Sequence, residues 1–190
     1  APFRNNSVDE TTILKAKKAA VLVLIYPIKN EAHFTLIERQ EYDGTHSKQI
    51  AFPGGKVENF DLNTNETALR EAKEEVNINA DNVEVLNELS SIFIPPSNFY
   101  VTPVLGISNV QPNYVAQEKE VKKIIEVPLA ELLKHDVVKS TSIKLKNGTS
   151  LKTPYLHLQN QIVWGATALI LNELRHYLMT LHPYEREGKL

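Results

Sequence analysis

Apolar positions along the chain recur with two periods, and the switch between them sets out the elements. Residues 19–26 form an uninterrupted apolar run with β-branched Val21, Val23 and Ile25, which predicts a strand buried on both faces. The run is far too short to span a bilayer, and Pro27 closes it. Residues 34–39 alternate and predict the next strand, with Lys29, Asn30 and Glu31 as the turn between the two. Residues 49–52 predict a short strand, and residues 83–93 a longer one stopped by Pro95 and Pro96. In residues 101–108 a further strand carries Pro103, which argues for an edge or a bulge because proline donates nothing to a ladder. Residues 124–127 predict a strand, residues 128–135 a helix with Pro128 in its first turn, and residues 141–158 a hairpin about Asn147 and Gly148.

Helical spacing replaces alternation in two long stretches. One runs from Thr64 to about Val76, with Ala68, Leu69, Ala72 and Val76 on a packing face. The other runs from Ile162 to about Leu181, with a stripe of Ala166, Leu169, Ile170, Leu174, Tyr177 and Leu178; Trp164 reads as core. Phe99 and Tyr100, in the loop after Pro96, read as a hydrophobic plug, with base stacking as the alternative. Strands interleaved with helices give an α/β fold with a mixed sheet between helical layers. Residues 1–14 are polar and irregular and are expected to form an arm or short helix; residues 15–190 form a single domain.

The chemistry concentrates in residues 52–78. Glu71, Glu74 and Glu75 stand three and four apart and are expected to share one helical face, where like charges repel unless a cation lies among them. Hard divalent cations such as Mg²⁺ or Mn²⁺ take carboxylate oxygens and would turn that repulsion into binding. Ahead of the helix, Phe52-Pro53-Gly54-Gly55 is a turn followed by backbone able to approach a ligand closely. Asn63 with Glu66 three residues on is a helix N-cap pair, and Asn77 suits a left-handed helix end. Arg70 has a planar fork that holds a carboxylate bidentately, so it is expected to orient a glutamate rather than bind substrate.

Composition narrows the partners. A formal net charge of −2 with 23% charged residues gives no basic footprint for nucleic acid. The absence of cysteine removes disulfides and thiolate chemistry and is compatible with a reducing cytosol, so a cytoplasmic location is expected. No signal-like or membrane-spanning segment is read. Neither a serine–histidine–acid set nor a P-loop can be traced, which leaves carboxylates and one arginine as the equipment.

Those residues resemble a Nudix box, the pattern G-x5-E-x7-R-E-U-x-E-E-x-G-U with U aliphatic. Gly55, Arg70, Glu71, Glu74, Glu75 and Ile78 fall on it. Asp61 replaces the first glutamate, the gap before Arg70 is one residue longer, and Asn77 replaces the late glycine. Upstream, Arg39, His46, Gln49 and Phe52-Pro53-Gly54-Gly55 are similar to the extra motif of the coenzyme A pyrophosphatase branch. Asp43, Gly44 and Lys48 stand where that motif has Leu, Arg and Gly. The stretches 100–104 and 163–168 resemble the same branch, so the likeness covers most of residues 19–180.

The resemblance implies an α/β/α sandwich and metal-dependent cleavage of a diphosphate, with Mg²⁺ or Mn²⁺ as cofactor. It implies metal ligation by Glu71, Glu74, Glu75 and Gly55, and catalytic roles for Arg70, Glu71, Glu74 and Glu120, the last being a surface charge by default. Substrate binding falls to Arg39, His46, Lys48, Gln49, Phe52, Gly54 and Gly55. The implied substrate is coenzyme A or acyl-coenzyme A. Other nucleotide diphosphates (ADP-ribose, dinucleotides, nucleoside triphosphates) and a non-cleaving nucleotide sensor are the alternatives. The expected partner is a small nucleotide diphosphate, with no nucleic acid or membrane, and the oligomeric state stays open between monomer and homodimer.

Overall fold

The helix α1 (Glu10–Lys15), capped by the Asp9 carboxylate accepting from the Thr12 amide, leads into β1 (Lys17–Ile28), the central strand of the main sheet. The computed structural model describes residues 9–41, 49–144 and 150–181; the predicted Asn147-Gly148 turn, His46 and Lys48 lie outside them. β1 is longer at both ends than the apolar run suggested. Its side chains alternate between two cores: Ala20, Leu22, Leu24 and Tyr26 join one, Val21, Val23 and Ile25 the other. This double burial is why the run is apolar throughout.

After a turn in which Lys29 has a φ of 56°, the chain enters β2 (Glu31–Arg39), and then β3 (Ile50–Ala51) and β4 (Gly54–Lys56). Helix α2 (Thr64–Val76) follows with the expected limits. The Asn63 side chain accepts from the Glu66 amide at 3.0 Å, and Asn77 closes the helix with a φ of 62°. Glu66 returns its carboxylate to the Leu62 amide at 2.9 Å, one residue earlier than in a simple capping box. Beyond it come β5 (Glu84–Glu88), β6 (Ile92–Ile94), β7 (Phe99–Ile107), β8 (Val121–Pro128) and α3 (Leu129–Leu132). The chain ends in β9 (Val138–Lys144), β10 (Ser150–Leu158), β11 (Gln161–Val163) and α4 (Gly165–Leu181).

β1 pairs in parallel with β7 and antiparallel with β2 and β4, giving a mixed sheet. α2 covers one face through Ala68, Ala72 and Val76. α4 covers the other through Ala168, Ile170, Leu171 and Leu174, so the layers are α/β/α. Each buried aliphatic side chain contributes about 1.5–3 kcal/mol. β9, β10 and β11 form a separate three-stranded sheet. Among the described residues no helix is long and apolar enough to cross a membrane.

Several expectations change. The predicted strand over residues 83–93 is two strands, because Pro103 stands opposite the break and its nitrogen cannot bond there. The Leu89 amide donates to the Pro103 carbonyl at 2.8 Å, and the Ser90 amide to Glu173 of α4 at 3.0 Å. Pro103 therefore occupies an interior strand, flanked by β1 and the β5–β6 pair; of the expected edge or bulge it is the irregularity that is found, since residues 89–91 stand opposite only residues 102 and 103. The last helix begins at Gly165, not Ile162: Gln159 and Asn160 take positive φ of 48° and 60°, turning residues 161–163 back onto β10. Lastly, α3 is four residues long with Pro128 as its N-cap, and Tyr177 is exposed whereas Leu171 joins the buried stripe.

Replacing Asn63 with Ala is expected to lower unfolding free energy by about 1 kcal/mol, since the Glu66 amide loses its cap. Urea denaturation should show a lower midpoint with an unchanged slope. An unchanged midpoint would mean the cap contributes nothing.

Candidate active site

β1 and β2 pair only through Ile25–Ile28, and toward the start of β1 they part. Residues 50–56 fill the opening: β3 continues along β2, β4 lies along Ala19–Val21, and the Leu22 amide donates to the Pro53 carbonyl at 2.8 Å. That wedge explains both glycines. Gly54 has a φ of 155°, and a Cβ there would lie 2.4 Å from the Ala20 carbonyl oxygen, which as backbone cannot yield. A Cβ on Gly55 would lie 2.5 Å from the Glu71 carboxyl, so the glycine makes the room in which that acid sits.

Glu75 does not stand on the open face with Glu74. It lies two turns from Ala68, on the packing side, and is 1% exposed, whereas the Glu74 side chain is 59% exposed. Its carboxylate accepts from the Gly54 amide at 2.8 Å and from Arg39 Nη1 at 3.2 Å. Burial pushes its pKa up to about 7, against the pull of Arg39 and the Gly54 amide; the charges of Glu71 and Glu120 add to the rise. Burial likewise raises Glu71, with Glu74 and Glu120 contributing and Arg70 opposing. Glu120 is exposed at the start of β8 and near enough to act on both acids.

Arg39 reaches Glu75 from a β-bulge, where the β2–β8 register slips between Glu38 and Arg39. Its Nε is buried with no hydrogen-bond partner among the described residues. Arg70 gathers the other acids. Its Nε and Nη2 donate bidentately to Asp61 at 3.0 and 2.9 Å, and Nη1 donates to Glu71 at 2.8 Å and Glu74 at 3.2 Å. Nη2 also donates to the Lys56 carbonyl at 3.0 Å, and the guanidinium lies 5.4 Å from the Phe60 ring centroid. Arg70 holds the Asp61 carboxyl well below the usual carboxylate range, assisted by the Glu58 amide and the Thr67 hydroxyl. Asp61 is thus the anchor that fixes the arginine fork, a function invisible in the sequence because the two residues meet only through the loop fold.

Among the described residues no group of three His, Asp or Glu is placed to hold a cation as the side chains stand. Glu75 is turned to Arg39 and Gly54, while Glu71 and Glu74 are turned to Arg70. The donor set nevertheless suits a hard cation. It is all oxygen, and the mutual repulsion that raises Glu71 and Glu75 is what a divalent ion would relieve.

A cavity of about 420 Å³ adjoins these acids across the β4 backbone. Along β4 the side-chain directions alternate: Gly55 faces Glu71 on the α2 side, and Lys56 faces the cavity on the α4 side. Arg39, Gln49, Phe52, Gly54 and Gly55, which the sequence marked for substrate, all line the cavity. Lys56, Phe99 and Trp164 line it as well. Lys56 escaped notice as a lone lysine. Trp164 was expected in the core but is 45% exposed at the rim, since the β10–β11 turn lifts residue 164 out of the helix. Tyr100 is not a lining residue; the Lys18 ammonium sits 4.4 Å from its ring centroid.

Carboxylates gathered on a helix by an arginine, beside a ligand-sized cavity, suit a ligand that brings its own negative charge and a hard cation. The sequence matches the NUDIX domain family over residues 16–145, and the chain belongs to that family. Two relatives named Nudix hydrolase NudL, both uncharacterized, come from Yersinia pestis (strain Pestoides F) and Yersinia pseudotuberculosis serotype O:1b (strain IP 31758). Each is 35% identical over 158 residues, covering 83% of this chain and 78% of the relative. Among solved structures, the NUDIX domain of Shewanella oneidensis NrtR, a cocrystal with ADP ribose, superposes with a TM-score of 0.58 at 14% identity, covering 90% of this chain and 94% of that one. The M. smegmatis Nudix hydrolase RenU gives 0.57 at 16%, covering 87% and 88%. At these identities the structures share the fold. As a Nudix hydrolase the chain acts on pyrophosphate bonds of nucleoside diphosphate derivatives, and enzymes of this family generally use divalent metals such as Mg²⁺ or Mn²⁺.

Two outcomes are expected. Gly55→Ala should lower turnover at least tenfold with little change in Tm, because its Cβ meets the movable end of Glu71 rather than backbone. Unchanged turnover would deny the Glu71 position any role. For Glu75 the folded pKa of about 7 lies above the ordinary carboxylate value, so its stabilising contribution is full below about pH 4.5 and is lost as pH rises to about 7. In metal-free protein, the stability of Glu75→Gln relative to the parent should therefore improve between pH 5 and pH 8, by up to roughly 3 kcal/mol. Urea unfolding at the two pH values measures this; a constant difference would contradict it.

Proposed function

We propose that the chain hydrolyses the diphosphate bond of coenzyme A or an acyl-coenzyme A, yielding 3′,5′-ADP and 4′-phosphopantetheine or its acylated form. One observation carries the reading: Arg39, Gln49, Phe52, Gly54 and Gly55, the residues of the coenzyme A-type motif, surround a single cavity beside the acidic helix. A diphosphate lying over the β4 backbone reaches the cavity on one side and the acids on the other. Lys56 lines the cavity beside that route, and its ammonium lies 3.7 Å from Glu58 Oε1.

Glu71, Glu74 and Glu75, with the Gly55 carbonyl, are the residues that would hold a divalent cation, which when bound neutralises phosphate oxygens and makes a bound water acidic. Arg70 orients Glu71 and Glu74 from its anchor on Asp61. Arg39 and the Gly54 amide fix Glu75. Glu120, exposed and near enough to act on Glu71 and Glu75, completes the proposed catalytic set. His46 and Lys48 belong to the same proposed substrate set.

A second reading, a diphosphatase of ADP-ribose or dinucleotides, is favoured by two observations: Arg39 is already engaged by Glu75, and Gly44 stands where the motif has Arg. A panel of coenzyme A, 3′-dephospho-coenzyme A, ADP-ribose and NADH with Mg²⁺ or Mn²⁺, with products identified by mass, separates the two. Coenzyme A is expected to give the highest kcat/KM, chelation to abolish turnover, and Glu74→Gln to cost about 10²-fold. Arg70→Lys should lower kcat with little change in KM, since lysine lacks the fork. Equal efficiency on coenzyme A and its 3′-dephospho form would leave the second reading.

A further inference from the structure

Glu120 lies on a turn that two neighbouring elements hold. The Gln117 amide donates to the main-chain carbonyl of Glu75 at 2.8 Å, one of those that the last turn of α2 leaves without an intrahelical partner. The Gln117 carbonyl in turn accepts from the Glu120 amide at 2.9 Å and the Val121 amide at 2.8 Å, and its side-chain oxygen accepts from the Lys119 amide at 3.2 Å. On the other side, β2 ends at Arg39, and the next residue, Gln40, meets the same segment. Its amide donates to the Glu120 carbonyl at 2.8 Å, and its side-chain Nε2 donates to the Glu118 carbonyl at 2.8 Å. We infer that Gln40 is a positioning residue, whose side-chain amide fixes the turn that presents Glu120 to the acids of α2. The inference rests on the reading that Glu120 belongs to the catalytic set and deepens it by naming what holds that acid in place.

Three observations separate positioning from the other roles open to a polar residue at a strand end. The first is where the two bonds fall. They pin the planar peptide that follows Glu118 and the one that follows Glu120, so the backbone on both sides of residues 119 and 120 is fixed, and with it the direction of the Glu120 side chain. The second is that the flanks are fixed without Gln40. Upstream, Gln117 hangs from α2, Asn77 Nδ2 donates to the Asn113 carbonyl at 2.9 Å, and the Tyr114 hydroxyl meets that of Thr35. Downstream, Val121 opens β8 opposite Arg39, and Lys122 Nζ lies 2.6 Å from Glu38 Oε1. Loss of the Gln40 side-chain bond therefore loosens the turn and leaves the loop and the sheet in place. The third is that Gln40 does not line the cavity that Arg39 and Gln49 line, and its Nε2 is spent on a protein carbonyl. Its effect passes through Glu120, whose charge reaches both Glu71 and Glu75.

Gln40→Met keeps the length of the side chain and loses its donor. With the substrate of highest kcat/KM in the panel above, it is expected to lower kcat about three- to tenfold, the range of one neutral hydrogen bond, with KM unchanged. In Glu120→Gln protein the same substitution should cost nothing further, because the acid it positions is gone. Amide exchange in metal-free protein reads the turn without turnover: the Glu120 and Val121 amides should exchange about three- to tenfold faster in Gln40→Met, with Val115 and Gln117 unaltered. Asn77→Gly keeps the left-handed helix end and removes the bond to Asn113, so it should leave kcat within about twofold. The inference is overturned if Gln40→Met costs as much without Glu120 as with it, if it raises KM alone, if amide exchange does not change, or if Asn77→Gly lowers kcat as far. Impaired Glu120→Gln beside unimpaired Gln40→Met overturns the inference alone; undiminished turnover in Glu120→Gln overturns the catalytic reading of Glu120 along with it.

Discussion

The buried carboxylate of Glu75 is the constraint on which the site depends. It joins three separate elements: α2, which carries it, β4 through the Gly54 amide, and β2 through Arg39. A charge taken out of water is costly unless it is paired and hydrogen-bonded, and here both conditions draw distant segments together. Lose the carboxylate, and Arg39 is left at a bulge while the Gly54 amide is left inside the wedge. The interaction therefore sets how the glycine backbone sits against the acidic helix.

A second, nearly independent set of contacts does the same for the open half of the acidic face. Asp61 holds Arg70 by two hydrogen bonds, and the remaining guanidinium nitrogen is thereby aimed at Glu71 and Glu74. Acids that would repel one another on an isolated helix are placed by one cation that is itself fixed from the loop. The two sets meet at Gly55, whose missing side chain is the space that the Glu71 carboxyl occupies. The backbone of β4 is thus a thin wall with acids behind it and a ligand cavity in front. Both glycines are demanded by that wall, Gly54 by its approach to the Ala20 carbonyl and Gly55 by the Glu71 carboxyl.

How much of this was legible beforehand varied with the range of the interactions. Local signals were reliable: the limits of α2, its Asn63 cap, the left-handed Asn77 and the double burial of β1 all follow from short-range sterics and hydrogen bonding. The residues around the cavity from Arg39 to Gly55 were found through a motif, and the fold does bring the described members of that set together. Glu75 was misplaced, because counting carboxylates by spacing says which acids are neighbours but not which of them faces the sheet. Only the packing of Ala68, Ala72 and Val76 decided that.

Sequence alone determined the α/β class, the acidic helix and the glycine turn that precedes it, since periodicity, capping and backbone freedom are properties of adjacent residues. Tertiary structure alone decided the rest. The break between β5 and β6 depends on Pro103 lying opposite it across the sheet. The exposure of Trp164 depends on a turn at Gln159 and Asn160 that lacks the usual glycine; Asn160 tolerates a positive φ, but at Gln159 it is imposed by the β10–β11 pairing rather than announced by residue type. Asp61 meets Arg70, and Arg39 meets Glu75, across 9 and 36 residues of chain. Long-range electrostatic pairing carries no local signature, because its cost and its benefit exist only once the partners are desolvated together.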